Sequence, residues 1–262
     1  MNTLRYLWLA GSLLPLFAWA AGSGSSGGYV HIPAGTLVSA LKFEDVNGAV
    51  RIDAFQMMRR PVTNAEFAAF VGTRPAWQRG HVKPVFAGPD YLGHWATPTQ
   101  VGTAVQGAQP VTRVSWFAAT AYCEAQGGRL PLWLEWEYVA ASDRLRRDAR
   151  DDPAWRERIL AWYAQPSSKV LPPAGSGEAN RYGLRDLHGL VWEWTEDYSA
   201  LLVTADNRNQ GDAETNRFCG AGALSINDRD NYAVLMRVAM LSSLEGSNTT
   251  MNLGFRCVKG AR

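Results

Sequence analysis

The spacing of apolar positions changes several times along the chain, and each change predicts a different element. Between Tyr29 and Phe55, short apolar runs alternate with turn formers: Val30 to Gly35, Val38 to Phe43 and Val50 to Phe55. Runs of this length bounded by Gly, Pro and Asp read as short strands. Phe67, Phe70 and Val71 then fall on one helical face, and Thr63 followed by Glu66 has the form of a capping box. From Gly72 to Gln109 no period is sustained, and such a long loop is unusual unless it is functional or packed by its own side chains. Ser115 opens a second helix, with Phe117, Ala118, Ala121 and Tyr122 on its apolar side and Gly127-Gly128 as its stop. Leu134 to Ala141 reads as a third helix, Asp143 to Arg158 as a charged, helix-prone, solvated surface insert, and Tyr232 to Leu241 as a last short helix. Eleven tryptophans scattered through loop-like sequence point to a core built from irregular segments. With no internal repeat or linker, the pattern predicts one compact α+β domain over residues 29–262, low in regular secondary structure.

Composition adds the setting. Charged residues make up 19% and hydrophobic residues 47%, a globular balance. A net charge of +2, without any Lys/Arg run or basic, aromatic-interleaved stripe, argues against nucleic acid as a partner. Residues 1–20 read as a secretory signal: Arg5 is the positive start, Leu7 to Trp19 the apolar run broken at Pro15, and Ala18-Trp19-Ala20 the small-x-small cleavage pattern. The alternative is an uncleaved anchor, but a spanning helix wants roughly twenty apolar residues and this run is shorter. No cysteine follows it to carry a lipid, and residues 21–28 are a Gly/Ser-rich leader. The expectation is a periplasmic or secreted protein with no membrane span after cleavage. In an oxidising compartment, three cysteines give one pair and one left over. Pattern alone leaves all three pairings of Cys123, Cys219 and Cys257 open.

Several blocks, in this order, resemble the formylglycine-generating enzyme (sulfatase-modifying factor) family. They are Ile32-Pro33-Ala34-Gly35; Pro61-Val62-Thr63-Asn64-Ala65-Glu66-Phe67; Gln109-Pro110-Val111-Thr112-Arg113-Val114-Ser115-Trp116 with Ala121-Tyr122-Cys123; and Gly128-Arg129-Leu130-Pro131 with Glu135-Trp136-Glu137-Tyr138. The run from Tyr182-Gly183-Leu184-Arg185-Asp186-Leu187-His188-Gly189 through Leu190-Val191-Trp192-Glu193-Trp194 follows, and then Asn252-Leu253-Gly254-Phe255-Arg256-Cys257. Among family branches the resemblance is nearest to the NirV-like proteins found beside periplasmic copper nitrite reductases. It implies a fold related to C-type lectins, a Cys123–Cys257 disulfide, and Arg237 and Trp192 lining a substrate groove.

The resemblance also implies one structural calcium ion. Asp186 and Glu193 would bind it through side chains, Gly189 and Val191 through main-chain carbonyls, which suits a hard cation that takes six to eight oxygens. The alternative reading is that Glu193 makes ordinary buried hydrogen bonds and Asp186 caps a turn. A second calcium site of the family has no match between Trp155 and Asn180.

The family's oxidase holds monovalent copper on two cysteines shortly after a Gly-Gly-Ser-like segment, and soft thiolates suit that metal. The corresponding stretch runs Cys219-Gly220-Ala221-Gly222-Ala223-Leu224, with no cysteine after Cys219. Formylglycine synthesis by two thiolates is therefore not expected. Cys219 remains a candidate catalytic or copper residue, an intermolecular disulfide partner, or a small packing residue. A non-haem-iron branch of the superfamily needs a separate histidine-rich helical domain, which this sequence does not show. His81 and His94 lie in the long loop without a carboxylate at facial-triad spacing. No nucleophile elbow, Walker loop or dinucleotide fingerprint is present. Glu135 and Glu137 do not share a helix face and read as structural partners of Arg129 or nearby backbone. Two functions fit: a binding or maturation factor for a periplasmic partner, with Trp77, Trp95, Trp192 and Trp194 as its recognition surface, or a diverged oxygen-dependent oxidase acting on a protein or small molecule.

Overall fold

The protein is described from a computed structural model over residues 28–39, 49–165, 170–201 and 232–260. Its strands are few and short. β1 (Tyr29–Ile32) and β7 (Val258–Gly260) flank β4 (Phe55–Met58) in a three-stranded antiparallel sheet. In its register Tyr29 lies opposite Met58, and Phe55 opposite Gly260. β2 (Gly35–Leu37) pairs with β3 (Val50–Ile52), and β5 (Trp192–Glu193) runs parallel to β6 (Leu253–Gly254). This sparse mixture of helix and sheet matches the α+β expectation.

The sequence signals account for most boundaries. The run from Val50 to Phe55 divides at Asp53-Ala54 into β3 and β4. The run expected from Val38 has already ended as β2 at Leu37, and residues 40–48 lie outside the described residues. Helix α1 (Asn64–Gly72) starts at the expected box: Thr63 accepts from the Glu66 amide, Glu66 accepts from the Thr63 amide, and Phe67, Phe70 and Val71 are buried. The long loop holds a 3-10 turn (Pro75–Trp77) and a short helix α2 (Ala104–Ala108), opened by a second box, Thr103 with Gln106.

In α3 (Trp116–Ala125) the Ser115 hydroxyl accepts from the Ala118 amide. The buried face is Ala118, Ala119, Tyr122 and Cys123, turned one residue from the expected stripe. The turn has a cause: Cys123 is bonded to Cys257, with Cα atoms 5.4 Å apart. Just beyond, Gly128 passes so close to β7 that a Cβ there would sit 2.4 Å from the Val258 carbonyl oxygen. Only glycine lets Arg129 bridge to Val258. Helices α4 (Trp133–Ala140) and α6 (Tyr232–Ser242) lie where periodicity places them.

The charged insert is more ordered than a solvated surface element. Asp143, Arg146 and Asp152 form a linked ion pair, and Asp152 caps α5 (Pro153–Tyr163), whose first residue is proline. The core is aromatic. Phe67 packs against Phe70, Trp95, Tyr122 and Phe255 with ring centroids 5.3–6.2 Å apart. Trp133 stacks on Trp136 at 5.8 Å, and Trp133, Trp136 and Trp194 are each no more than 1% exposed.

Candidate functional site

The loop between Tyr182 and Trp194 is assembled by local hydrogen bonds before any ligand is considered. Asn180 accepts from the amides of Tyr182 and Leu184 through Oδ1 and donates to the Val139 carbonyl through Nδ2, pinning the loop to α4. Asp186 follows in the left-handed region, at φ 60°, which Asp tolerates better than most residues. Its carboxylate accepts from the amides of Gly175 and Gly177. Gly189 also has positive φ, at 99°, and turns the chain into β5.

At the far end of the loop, Glu193 is wholly buried and paired with an equally buried Arg256. Oε1 accepts from Arg256 Nη2 at 2.7 Å and Nε at 3.1 Å. Oε2 accepts from the same Nε and from Trp136 Nε1, both at 2.9 Å. Arg256 also donates to the carbonyls of Met58, Arg59 and Arg185, tying β4 and the loop to the segment before β7.

Glu193 thus makes the buried hydrogen bonds of the alternative reading, and Asp186 caps a turn. Three donors meet the two Glu193 oxygens: Arg256 Nη2, Arg256 Nε, whose single hydrogen is shared between them, and Trp136 Nε1. An ion bound by Glu193 would share the carboxylate with Arg256. Among the described residues, no group of three or more His, Cys, Asp and Glu side chains is placed to hold a metal.

Arg237 does not line an open groove either. It is 1% exposed, lies 3.6 Å from the centroid of Trp136, and donates from Nη2 to the Glu193 carbonyl at 2.7 Å. Burial lowers its pKa to about 10, against the pull of Tyr163 and Glu193 and with Arg256 adding to the depression. Of the tryptophans expected at a recognition surface, Trp194 and Trp95 are core residues. Trp77 and Trp192 are half-buried, Trp192 beneath Trp162 and Tyr163 with centroids at 5.9 and 5.1 Å. Glu135 forms a bidentate pair with Arg129 at 2.6 and 2.7 Å, and Glu137 accepts from Ser39 and Trp133. Both are structural.

What the structure does offer is a cavity of about 650 Å³ between the loop at residues 142–146, α5, and the segments 178–180 and 184–189. Trp155, Ile159 and Trp162 of α5 form one wall and Leu184, Leu187 and His188 face them. The rim carries the Arg146 ion pairs and an Arg144–Glu178 pair at 3.4 Å. The His188 ring meets Trp136 and Trp155 edge-on, with centroids 5.5 and 5.7 Å away. Its Nε2 lies 3.0 Å from the Ala140 carbonyl, so that nitrogen carries the proton. Nδ1 has no partner although it is inaccessible to solvent. Burial, joined by the charges of Arg237 and Arg256, holds the His188 pKa down to about 4. The helix-prone insert is α5, but its extension to Tyr163 and its place as a cavity wall escaped the sequence reading, although Asp152-Pro153 ahead of Trp155, Ile159 and Trp162 is a usable helix-start signal.

Cys219 lies outside the described residues. Its chemical isolation is nevertheless fixed by count, because the chain has three cysteines and two are joined in the disulfide.

Comparison with known proteins gives a consistent assignment. A family model, the sulfatase-modifying factor enzyme 1-like domain, matches residues 20–261. The formylglycine-generating enzyme of Streptomyces coelicolor is 31% identical over 297 aligned positions, covering 92% of each chain. The mouse formylglycine-generating enzyme is 26% identical over 249 positions, or 79% of this chain and 66% of that one. Hercynine oxygenase of Mycolicibacterium smegmatis is 31% identical over 201 positions, covering 66% of this chain but 46% of the relative.

Proposed function

The chain belongs to the sulfatase-modifying factor enzyme 1-like family, and from that premise we propose that it works as a binding or maturation factor for an exported enzyme rather than as a formylglycine synthase. One observation carries the proposal: the Cys123–Cys257 bridge leaves a single thiol in the chain. A site for monovalent copper built from two thiolates cannot be assembled from one, so the residues present do not fit that metal.

The cavity beside α5 supports the binding half of the reading. Its volume, about 650 Å³, falls within the roughly 300–1,000 Å³ of small-ligand sites, and apolar walls with a few convergent polar groups are what such sites share. Trp155 and Trp162 would contact the bound group. The resemblance to NirV-like proteins makes a periplasmic copper respiratory enzyme the proposed client, and the signal-like residues 1–20 support a meeting outside the cytoplasm.

Three measurements test this. Protein titrated with monovalent copper against a chromophoric chelator, without oxygen, is expected to retain no stoichiometric copper. With oxygen and a cysteine-containing peptide, mass spectrometry is expected to show no aldehyde. In cells lacking the protein, the copper content of the client should fall, and a Trp155→Ala/Trp162→Ala variant should fail to restore it. Peptide oxidation together with copper retention that disappears in Cys219→Ser would overturn the proposal in favour of a diverged oxidase.

A further inference from the structure

A second cavity, of about 400 Å³, lies where the start of α1, the loop at His94 and the segment from Gln109 to Arg113 meet, with Met251 on its edge. Three independent features mark it out. The first is its backbone: Leu92 and Arg113 have φ of 49° and 52°, and the Leu92 amide donates to the Arg113 carbonyl at 2.9 Å. A left-handed conformation is unfavourable for bulky side chains and gathers at binding and catalytic sites. Here two such residues are hydrogen-bonded to each other and together fix the Gly93–His94 segment over Arg113.

The second feature is a hydroxyl open to the cavity. Thr112 lines it and is 5% exposed, and its side chain makes no hydrogen bond among the described residues. The third is charge. Among the described residues the Arg113 guanidinium pairs only with Asp90, at 3.8 Å, and that carboxylate is 74% exposed. Arg79 stands close by, donating to the carbonyls of Leu92 and Trp95.

The neighbouring histidine adds an acceptor. Asn64 is buried and its amide orientation is fixed, because Nδ2 donates to the Gln106 and Pro110 carbonyls while Oδ1 accepts from Trp95 Nε1. His94 Nε2 lies 3.4 Å from that same Oδ1 and therefore carries the proton. Its Nδ1 is left as a lone-pair acceptor.

We propose that this cavity binds a small α-hydroxy or α-amino carboxylate, with the carboxylate on Arg113 and the Thr112 hydroxyl and the α-substituent donating to His94 Nδ1. An Arg guanidinium matches a carboxylate in shape as well as charge, and the cavity is at the small end of the ligand-site range. The site is separate from the α5 cavity and does not depend on the client proposed above.

Lactate is the probe, followed by isothermal titration and by intrinsic tryptophan fluorescence on the full chain. One saturable site is expected. Propionate, which has no α-donor, should bind at least tenfold more weakly, and chloride at equal concentration should not compete. Arg113→Asn removes the guanidinium but tolerates positive φ, so it should fold and lose lactate affinity by tenfold or more. Thr112→Val should lose several-fold and carries the test if Arg113→Asn does not fold. Absence of saturable lactate binding, competition by chloride, propionate as tight as lactate, or unchanged affinity in the variants would each overturn the assignment.

Discussion

Replacing Arg256 by methionine is the sharpest test of how the loop at Asp186 to Glu193 is held. The substitution keeps length and apolar volume but removes the paired guanidinium from a fully buried carboxylate, leaving the charge of Arg237 to act on it. Glu193 would keep a single side-chain donor, Trp136 Nε1, and the carbonyls of Met58, Arg59 and Arg185 would lose theirs. Breaking a buried pair from one side costs about 3–5 kcal/mol, against total stabilities of about 5–15 kcal/mol. At about 2–4 °C per kcal/mol for a domain of this size, the melting temperature should fall by roughly 6–20 °C. The double variant Glu193→Leu/Arg256→Met should recover much of that loss, because no uncompensated charge remains. Urea and thermal unfolding, followed by circular dichroism with the disulfide intact, would be run in calcium and again in EDTA. The ion-pair account predicts that EDTA leaves the wild type unchanged. If EDTA lowers wild-type stability as far as Arg256→Met does, Glu193 is a cation ligand and the reasoning fails.

Other outcomes follow from the same structure. Cys257→Ala, which opens a link spanning 134 residues, should cost up to about 4–5 kcal/mol on the chain-entropy scale, and reductant should reproduce the loss in the wild type but not in the variant. Glu66→Ala removes both the capping box of α1 and the bidentate pair with Arg60 at 2.9 and 3.0 Å; a loss of about 1–2 kcal/mol by urea denaturation is expected. The His94 ring reaches the surface, yet desolvation of the imidazole, with Arg113 and Arg79 adding to it, lowers its pKa to about 4. Since the unfolded chain takes up this proton near pH 6.5 and the folded one only near 4, His94 weakens folding progressively as pH falls through that window and has no effect above it. Proton NMR of the imidazole should show the low midpoint, and Arg113→Asn should move it upward.

Local chemistry was legible in the sequence, and long-range pairing was not. Thr63 with Glu66, Ser115 before its helix and the Tyr232–Ser242 periodicity act within a few residues, where cap and period decide the conformation. The same kind of signal was present at Thr103 with Gln106 and at Asp152-Pro153, but a stretch rich in turn formers and one rich in charge masked them. The calcium expectation meets a different limit. A carboxylate at each end of a glycine-containing loop serves a cation or a guanidinium equally well, and the guanidinium paired with Glu193 lies 63 residues further on. Exposure of the tryptophans had the same limit, because Trp194 and Trp95 become core only when distant segments close over them. The Arg113 cavity depends on two left-handed residues from separate segments, and neither Leu92 nor Arg113 is a residue type that announces positive φ.

The central place of β4 carries a consequence for how the molecule is made. β4 has β1 on one side, fewer than thirty residues away, but its other neighbour β7 is supplied some two hundred residues later. β6, Arg256, Cys257 and β7 all fall between residues 253 and 260, and they complete, respectively, the β5 pair, the Glu193 charge, the disulfide and the main sheet. A chain growing from its amino end therefore holds a half-paired β4 and a buried carboxylate without its cation until those eight residues emerge. Contacts of such sequence separation form slowly, so the domain closes late and all at once, like a clasp whose catch is fitted last.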